Sequence, residues 1–223
     1  MSKRYSTEDT IRDILDASTR LFVEKGYEKT TIQDIVNELD GLSRGAIYHH
    51  FRSKEEIIDA VVKRLVPGSE YIEAISKRQD LNGLEKIQHL LMETLINKDV
   101  RASFGMAFPL FNNPKLFMMR MINSNEVLSP QIELYIDEGN RDGSLNVKFP
   151  KQISEIIVLL LNTWFMVSLF PNTIDTFWDK VYAAKYVFDG IGVDVLSDEI
   201  IEKIISEIKK TEAENERKWK KWY

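Results

Sequence analysis

Hydrogen-bond donors are concentrated in one short stretch of the sequence. Tyr48, His49 and His50 follow one another, and their hydroxyl and imidazole groups can donate to phosphate oxygens or to the edges of bases. Just before them, Gly45 and Ala46 are small enough to let a backbone approach base edges closely. This composition is typical of a helix that lies in the major groove of DNA.

Two other interpretations of these residues carry less weight. His49 and His50 are adjacent, so on a helix they project about 100° apart and cannot chelate one ion as an i, i+4 pair would. The aromatic run that ends at Phe51 could instead pack in a core, but the capping signals around it favour a short exposed helix. We therefore expect no metal and no cofactor here.

Three helix starts are predicted close to this stretch. Thr31 and Asp34 have capping-box spacing, Ser43 can cap a helix that runs to Phe51, and Ser53 with Glu56 forms a full capping box. Helix N-termini attract phosphates through their unpaired amides and the positive end of the helix dipole. The cations beside these N-termini are Lys29, Arg44, Arg52 and Lys54.

The charge balance limits how DNA could be bound. The net charge of the chain is −5, and residues 1–54 hold nine Lys or Arg against nine Asp or Glu. A broadly basic surface is therefore excluded, and any contact with DNA must be made by locally placed groups.

The elements that must position these residues are predicted to be helices throughout, because apolar residues recur with a spacing near 3.6 and hairpin signals are missing. Three short helices and a fourth that stops or bends at Pro67-Gly68 precede a larger helical body. The further helices are predicted at 69–78, 83–98, 101–111, 114–124, 127–141, 151–170, 174–189 and 198–220. The breaks predicted among the first five are Asn82-Gly83, Asn112-Asn113-Pro114 and Ser129-Pro130. The fold class is all-α, with a helix-turn-helix domain over residues 1–54 and a second domain over residues 55–223.

Four segments of residues 1–54, called the head here, carry a family resemblance: Gly26-Tyr27, Thr30 to Ile35, Leu42 to Phe51 and, continuing past residue 54, Ser53 to Glu56. Through these residues the head resembles the TetR family of transcriptional regulators. The resemblance implies DNA contacts at matching positions, with phosphates the chief partners of Tyr48, His50 and Lys54. The candidate DNA-binding residues are Thr31, Ser43, Arg44, Gly45, Ala46, Tyr48, His49, His50 and Lys54.

One spacing departs from the family pattern. Ile35 and Ser43 are eight residues apart, whereas seven is usual, and Asp40-Gly41 lengthens the turn. We expect the longer turn to affect which side chains reach bases more than whether the module forms.

Large, adaptable side chains are concentrated between residues 104 and 121. Phenylalanine and methionine suit varied apolar ligands, although an ordinary core is the alternative for any one of them, and the resemblance implies a ligand cavity in this region. Trp164 and Phe165 could form an opposite wall. The candidate effector-binding residues are Phe104, Phe108, Phe111, Met118, Met121, Trp164 and Phe165.

The sequence also suggests how subunits pair and in which cellular compartment the protein acts. The resemblance implies a homodimer through segments 151–170 and 174–192, and a dimer suits the physics because one short helix reads too few bases. The absence of cysteine and of a signal-peptide pattern favours the cytoplasm, and no membrane association is expected.

The sequence thus predicts a ligand-responsive regulator, most simply a repressor that a small, largely apolar effector releases from operator DNA. An enzyme is disfavoured because residues 66–223 hold one histidine and lack a phosphate-binding loop. The alternative is a helical ligand-binding adaptor with weak or no specific DNA binding, which the neutral head allows.

Overall fold

The computed structural model describes residues 6–39, 41–64, 69–96, 106–166, 169–171 and 173–219. These residues contain helices and no strand, which confirms the all-α prediction. The helices are α1 (Thr7–Lys25), α2 (Ile32–Glu38), α3 (Arg44–His50), α4 (Lys54–Lys63), α5 (Ser69–Ser76), α6 (Gly83–Ile96), a 3-10 helix (Phe108–Asn112), α7 (Pro114–Asp142), α8 (Pro150–Leu159), α9 (Ile174–Gly190) and α10 (Asp198–Trp219). None of the helices in these ranges has the length and apolarity that crossing a membrane requires.

The chain forms two compact units. The head unit comprises Met1–Val66 together with Ala102–Asn123, and the body unit comprises Pro67–Arg101 together with Ser124–Tyr223. The head unit thus includes a segment from the middle of the chain. The predicted division of function at residue 54 remains a prediction.

The core of the head unit forms where the apolar stripes of its helices meet. α1 packs on α2 and α4, and α2 packs on α3. Arg64, just after α4, donates to the Asp16 carboxylate at 2.7 Å and to the Thr19 hydroxyl at 3.2 Å, which ties the end of α4 to α1. The fully buried side chains include Ile14, Phe22, Ile35, Ile47, Ile57 and Ile58.

The body unit has its own core, to which α5 through α10 contribute. Its largest fully buried side chains are Ile87, Tyr135, Ile136, Ile157 and Phe188.

A polar network crosses the body core. Buried Lys86 pairs with Glu138 at 2.5 Å, and its ammonium lies 5.8 Å from the centroid of the Tyr135 ring. The Tyr135 and Ser76 hydroxyls are hydrogen-bonded at 2.9 Å. The network satisfies polar groups that would be costly to bury alone.

Three predicted boundaries are wrong. The helix expected to break at Ser129-Pro130 instead continues as α7, because an internal proline removes one backbone donor and bends a helix without having to end it. The helix expected over 151–170 ends its regular part at Leu159 and continues as a wider π-helical turn, Leu160–Trp164. Of the helix expected over 101–111, the residues from Phe108 onward form the tighter 3-10 helix.

Candidate nucleic-acid interface

The N-terminus of α2 is fixed by a reciprocal capping box, as predicted. The Thr31 hydroxyl accepts from the backbone N–H of Asp34 at 3.1 Å, and the Asp34 carboxylate accepts from the backbone N–H of Thr31 at 2.8 Å. The same carboxylate pairs with Lys25 at 2.8 Å. Asp34 therefore accepts the N-cap backbone hydrogen bond that glutamate or glutamine usually accepts in this motif.

We expect this carboxylate to make the stability of the head pH-dependent. The hydrogen bond from Lys25, followed by those from Thr31, lowers the pKa of Asp34 from 3.8 to about 2. Because the pKa is lowered on folding, the stabilisation is present above about pH 4 and is lost as the pH falls toward 2. Urea unfolding of wild type and Asp34→Asn between pH 6 and 2 should give free energies that converge at the acid end. A difference that stays constant over this range would contradict the assignment.

The longer turn between α2 and α3 is accommodated before α3 begins. Gly41 has φ +83°, a left-handed conformation that suits glycine, and the backbone N–H of Leu42 donates to the Leu39 carbonyl at 3.3 Å. Ser43 then caps α3, and its hydroxyl accepts from the N–H of Ala46 at 3.1 Å. The extra residue in the spacing is therefore taken up in the turn and leaves the start of α3 regular.

α3 has one buried side and one exposed side. Ile47 is fully buried and the adjoining Phe51 is 6% exposed, whereas Tyr48 is 41% exposed. Arg44, Gly45 and His49 are also exposed, and Ala46 and His50 are half-buried. The predicted donors thus lie on the solvent side of a helix that its apolar residues hold in place.

Arg44 and Tyr48 form a contact pair on that exposed side. The Arg44 guanidinium lies 5.5 Å from the centroid of the Tyr48 ring and donates to the Tyr48 hydroxyl at 3.4 Å. The ring can therefore orient the guanidinium before DNA arrives.

The start of α4 is capped differently from the predicted box. The Ser53 hydroxyl accepts from the N–H of Glu56 at 3.3 Å, as expected. The Glu56 carboxylate reaches one residue further back and accepts from the N–H of Arg52 at 2.6 Å.

Lys54, the first residue of α4, contacts the connection between α1 and α2. Its ammonium donates to the carbonyls of Tyr27, Glu28 and Thr30, and it lies 4.5 Å from the centroid of the Tyr27 ring. Its predicted contact with phosphate remains a prediction.

Tyr27 is a structural residue whose role the sequence did not indicate. Its ring is buried and packs edge-on against Phe22, with centroids 5.4 Å apart, and its hydroxyl donates to Glu55 at 3.3 Å. Burial, reinforced by the Glu55 charge, raises the pKa of Tyr27 to about 12. Only the resemblance drew attention to this position, because its partners lie 5 to 28 residues away along the chain.

The predicted effector residues fall in both units. In the head unit, Phe111 is buried, Phe108 and Met121 are half-buried, and Met118 is 57% exposed. Buried Arg120 lies 5.2 Å from the centroid of the Phe111 ring, and burial lowers its pKa to about 10. This buried cation beside the aromatic cluster was not anticipated.

Two of the predicted effector residues lie in the body unit. In the body unit Trp164 and Phe165 are half-buried, and the Phe165 ring packs edge-on against Phe177 at 6.1 Å. Phe104 lies outside the described residues. The contacts of these residues with an effector remain predictions.

Comparisons with known proteins find similarity to bacterial transcriptional regulators. The sequence model described as "Bacterial regulatory proteins, tetR family" matches residues 14–61, which span the capped helices. The biofilm operon icaADBC negative transcriptional regulator IcaR of Staphylococcus aureus is 25% identical over 187 residues, covering 78% of this chain and 96% of IcaR. The transcriptional repressor Rv1474c of Mycobacterium tuberculosis is 38% identical over 73 residues, 33% of this chain and 37% of that protein.

The fold extends this similarity beyond the head. NalD of Pseudomonas aeruginosa, the secondary repressor of the MexAB-OprM multidrug efflux pump, superimposes with a TM-score of 0.59 at 20% identity, covering 84% of this chain and all of NalD. The matched head contains the capped α2, the capped α3 and its exposed donor face. Residues 14–61 therefore match the DNA-binding domain of the TetR family, and over most of its length the chain is similar to a bacterial negative transcriptional regulator.

Proposed function

We propose that the protein is a homodimeric cytoplasmic repressor that a small, largely apolar effector releases from operator DNA. The observation that carries DNA recognition is the two-sided α3, with Ile47 fully buried and the donor-bearing side of Tyr48 exposed. Such a helix presents donors to a groove without rearrangement. The names of IcaR, Rv1474c and NalD, all negative regulators or repressors, support repression.

The proposed contacts with DNA fall into two groups, one with base edges and one with phosphates, according to where each side chain lies. Arg44, Gly45 and Ala46 form the first turn of α3 and are proposed to meet base edges, since recognition helices read bases with their N-terminal residues. The later residues of α3 and the helix caps are proposed to meet phosphates, which fix the register of the protein on the duplex. This second group comprises Thr31, Ser43, Tyr48, His49 and His50.

This division predicts different consequences for Arg44→Ala and Tyr48→Phe. Loss of the Arg44 guanidinium should relax the preference at one base pair in each half-site by about 1–3 kcal/mol. Loss of the Tyr48 hydroxyl should weaken binding to all operator variants alike, because a phosphate contact carries no sequence information. Fluorescence anisotropy against a set of single-base operator variants measures both. Parallel losses for the two variants across the whole set would refute the division.

Dimerisation is proposed through α8 and α9, within the predicted segments 151–170 and 174–192. α9 exposes Tyr182 (52%) and Tyr186 (82%), which lie on one side of the helix because they are four residues apart, and it also exposes Val187 (37%) beside Tyr186. α8 exposes Ile156 (40%) and Leu159 (61%). Large apolar side chains this exposed on neighbouring segments are typical of a subunit interface.

The effector is proposed to contact the aromatic and methionine side chains of the segment from Phe108 to Met121, with Trp164 and Phe165 as further candidates. The support is composition and burial: Phe111 is buried, Phe108 is half-buried, and methionine adapts to varied apolar shapes. A panel of apolar and amphipathic compounds, screened for release of a labelled operator, tests the proposal. Release by polar compounds alone would argue against an apolar effector.

A further inference from the structure

Lys115 lies beside the connection between α1 and α2, although it belongs to the first turn of α7. Its ammonium is 5.7 Å from the centroid of the Tyr27 ring, within the range of a cation–π contact. The Lys54 ammonium is 4.5 Å from the same centroid. Because both distances are measured to one ring, the two ammonium groups are at most about 10 Å apart.

The segment that carries Lys115 is anchored in the head unit. The 3-10 helix that precedes it packs on α1, and Phe111 and Leu116 on either side of the junction with α7 are buried. The backbone N–H of Lys115 donates to the side-chain oxygen of Asn113 at 2.9 Å, which fixes the start of α7. The place of Lys115 beside Tyr27 is therefore set by packing as well as by the contact with the ring.

The side chain of Lys115 is open to a ligand that approaches from solvent. Lys115 is exposed, whereas the Tyr27 ring on which it lies is only 5% exposed. An ammonium carries three N–H donors. Contact with one face of a ring leaves donors on the opposite side of the nitrogen, where they can meet an oxygen anion.

The neighbours of Lys115 are groups that are expected to meet phosphates. Thr31, the N-cap of α2, follows Tyr27 by four residues, and Lys54 is the first residue of α4. Duplex DNA carries about one phosphate charge per 1.7 Å of its axis, so a stretch of about 10 Å includes several phosphates. A duplex that meets Lys54 through one phosphate therefore brings others within range of Lys115.

We propose that Lys115 contacts a phosphate of the bound duplex and is a further DNA-binding residue of the protein. The proposal rests on the operator binding proposed above. It places a DNA contact outside the matched residues 14–61, in the segment that is also proposed to contact the effector. A phosphate contact carries no sequence information, so Lys115 contributes to affinity and not to base preference.

The test measures the operator affinity of the full-length protein at several salt concentrations for wild type, Lys115→Met and Lys115→Arg. Loss of one phosphate contact per subunit should lower the magnitude of the slope of log K against log salt by about 1.8 for a dimer. We expect this change in Lys115→Met, with an affinity about tenfold lower at low salt for all operator variants alike. Lys115→Arg should retain the slope and the affinity, because arginine also binds phosphate and lies on aromatic faces.

The matched control is Lys148→Met. Lys148 is also exposed, and its ammonium lies 5.2 Å from the centroid of the Phe149 ring, but it belongs to the body unit. This change removes the same charge and the same kind of ring contact, and it should leave the salt slope unaltered. All assays are run below the unfolding temperature measured for each variant.

Three results would overturn the proposal: an unchanged slope in Lys115→Met, an equal loss of slope in Lys148→Met, or a Lys115→Arg variant as weak as Lys115→Met. A wild type that prefers no operator counts instead against the proposed function. The slopes are then compared on a scrambled duplex, where a phosphate contact still acts. An unchanged slope there overturns the role of Lys115, and a wild type that binds no duplex overturns both proposals.

Discussion

Replacement of Gly83 by alanine is expected to destabilise the body unit by about 3 kcal/mol. A Cβ at Gly83 would lie 2.2 Å from the backbone nitrogen of Gly139 and 2.3 Å from the Tyr135 carbonyl oxygen. Both are backbone atoms of α7, so no rotamer change can relieve the overlap and α6 would have to move away from α7. Denaturant unfolding monitored by circular dichroism measures the loss.

The control is Gly45→Ala, a glycine in a helix with room for a methyl group. Its Cβ would have the Ser43 hydroxyl oxygen, at 3.7 Å, as its nearest contact. Alanine also favours a helix over glycine by about 1 kcal/mol, so stability should be unchanged or slightly raised. Equal stabilities for Gly83→Ala and wild type would show that α6 and α7 do not approach as closely as described.

Placing a charge at Tyr186 is expected to convert the protein to monomers and to weaken operator binding by at least a hundredfold. Tyr186 is 82% exposed and lies on the same side of α9 as Tyr182, at the proposed centre of the interface. Glutamate there would bury two like charges across a two-fold axis, which costs several kcal/mol. Sedimentation velocity gives the oligomeric state, and anisotropy gives the affinity.

Ser206→Glu is the matched control, because it adds the same charge at an exposed position of α10. It should remain dimeric and bind the operator like wild type. A Tyr186→Glu variant that stays dimeric at micromolar concentration would place the subunit interface elsewhere on the chain.

The features that sequence predicted correctly are local ones. The Thr31–Asp34 capping box, the Ser43 cap and the buried side of α3 depend on residues within four positions of each other. Such patterns are set by short-range backbone geometry, so spacing alone reveals them. The candidate DNA face could be located for the same reason.

The features that sequence could not predict join distant residues. Lys54 reaches carbonyls 24 to 27 positions earlier, and Gly83 meets Gly139 across two helices. Every residue has a backbone carbonyl, so no sequence motif indicates which carbonyls the Lys54 ammonium contacts. The helix break predicted at Pro130 is wrong for a different reason. Proline is a strong local breaking signal, but here it lies inside a helix that continues past it.

Titration of purified protein against duplexes from upstream of its own and neighbouring genes measures whether the capped head reads operator DNA. We expect a saturable complex with at least one of these duplexes, roughly a thousandfold tighter than with a scrambled duplex of equal length. Raising the salt concentration should weaken this complex steeply, because phosphate contacts release counterions. Equal affinity for the specific and scrambled duplexes, or binding that salt does not change, would contradict operator reading by the head.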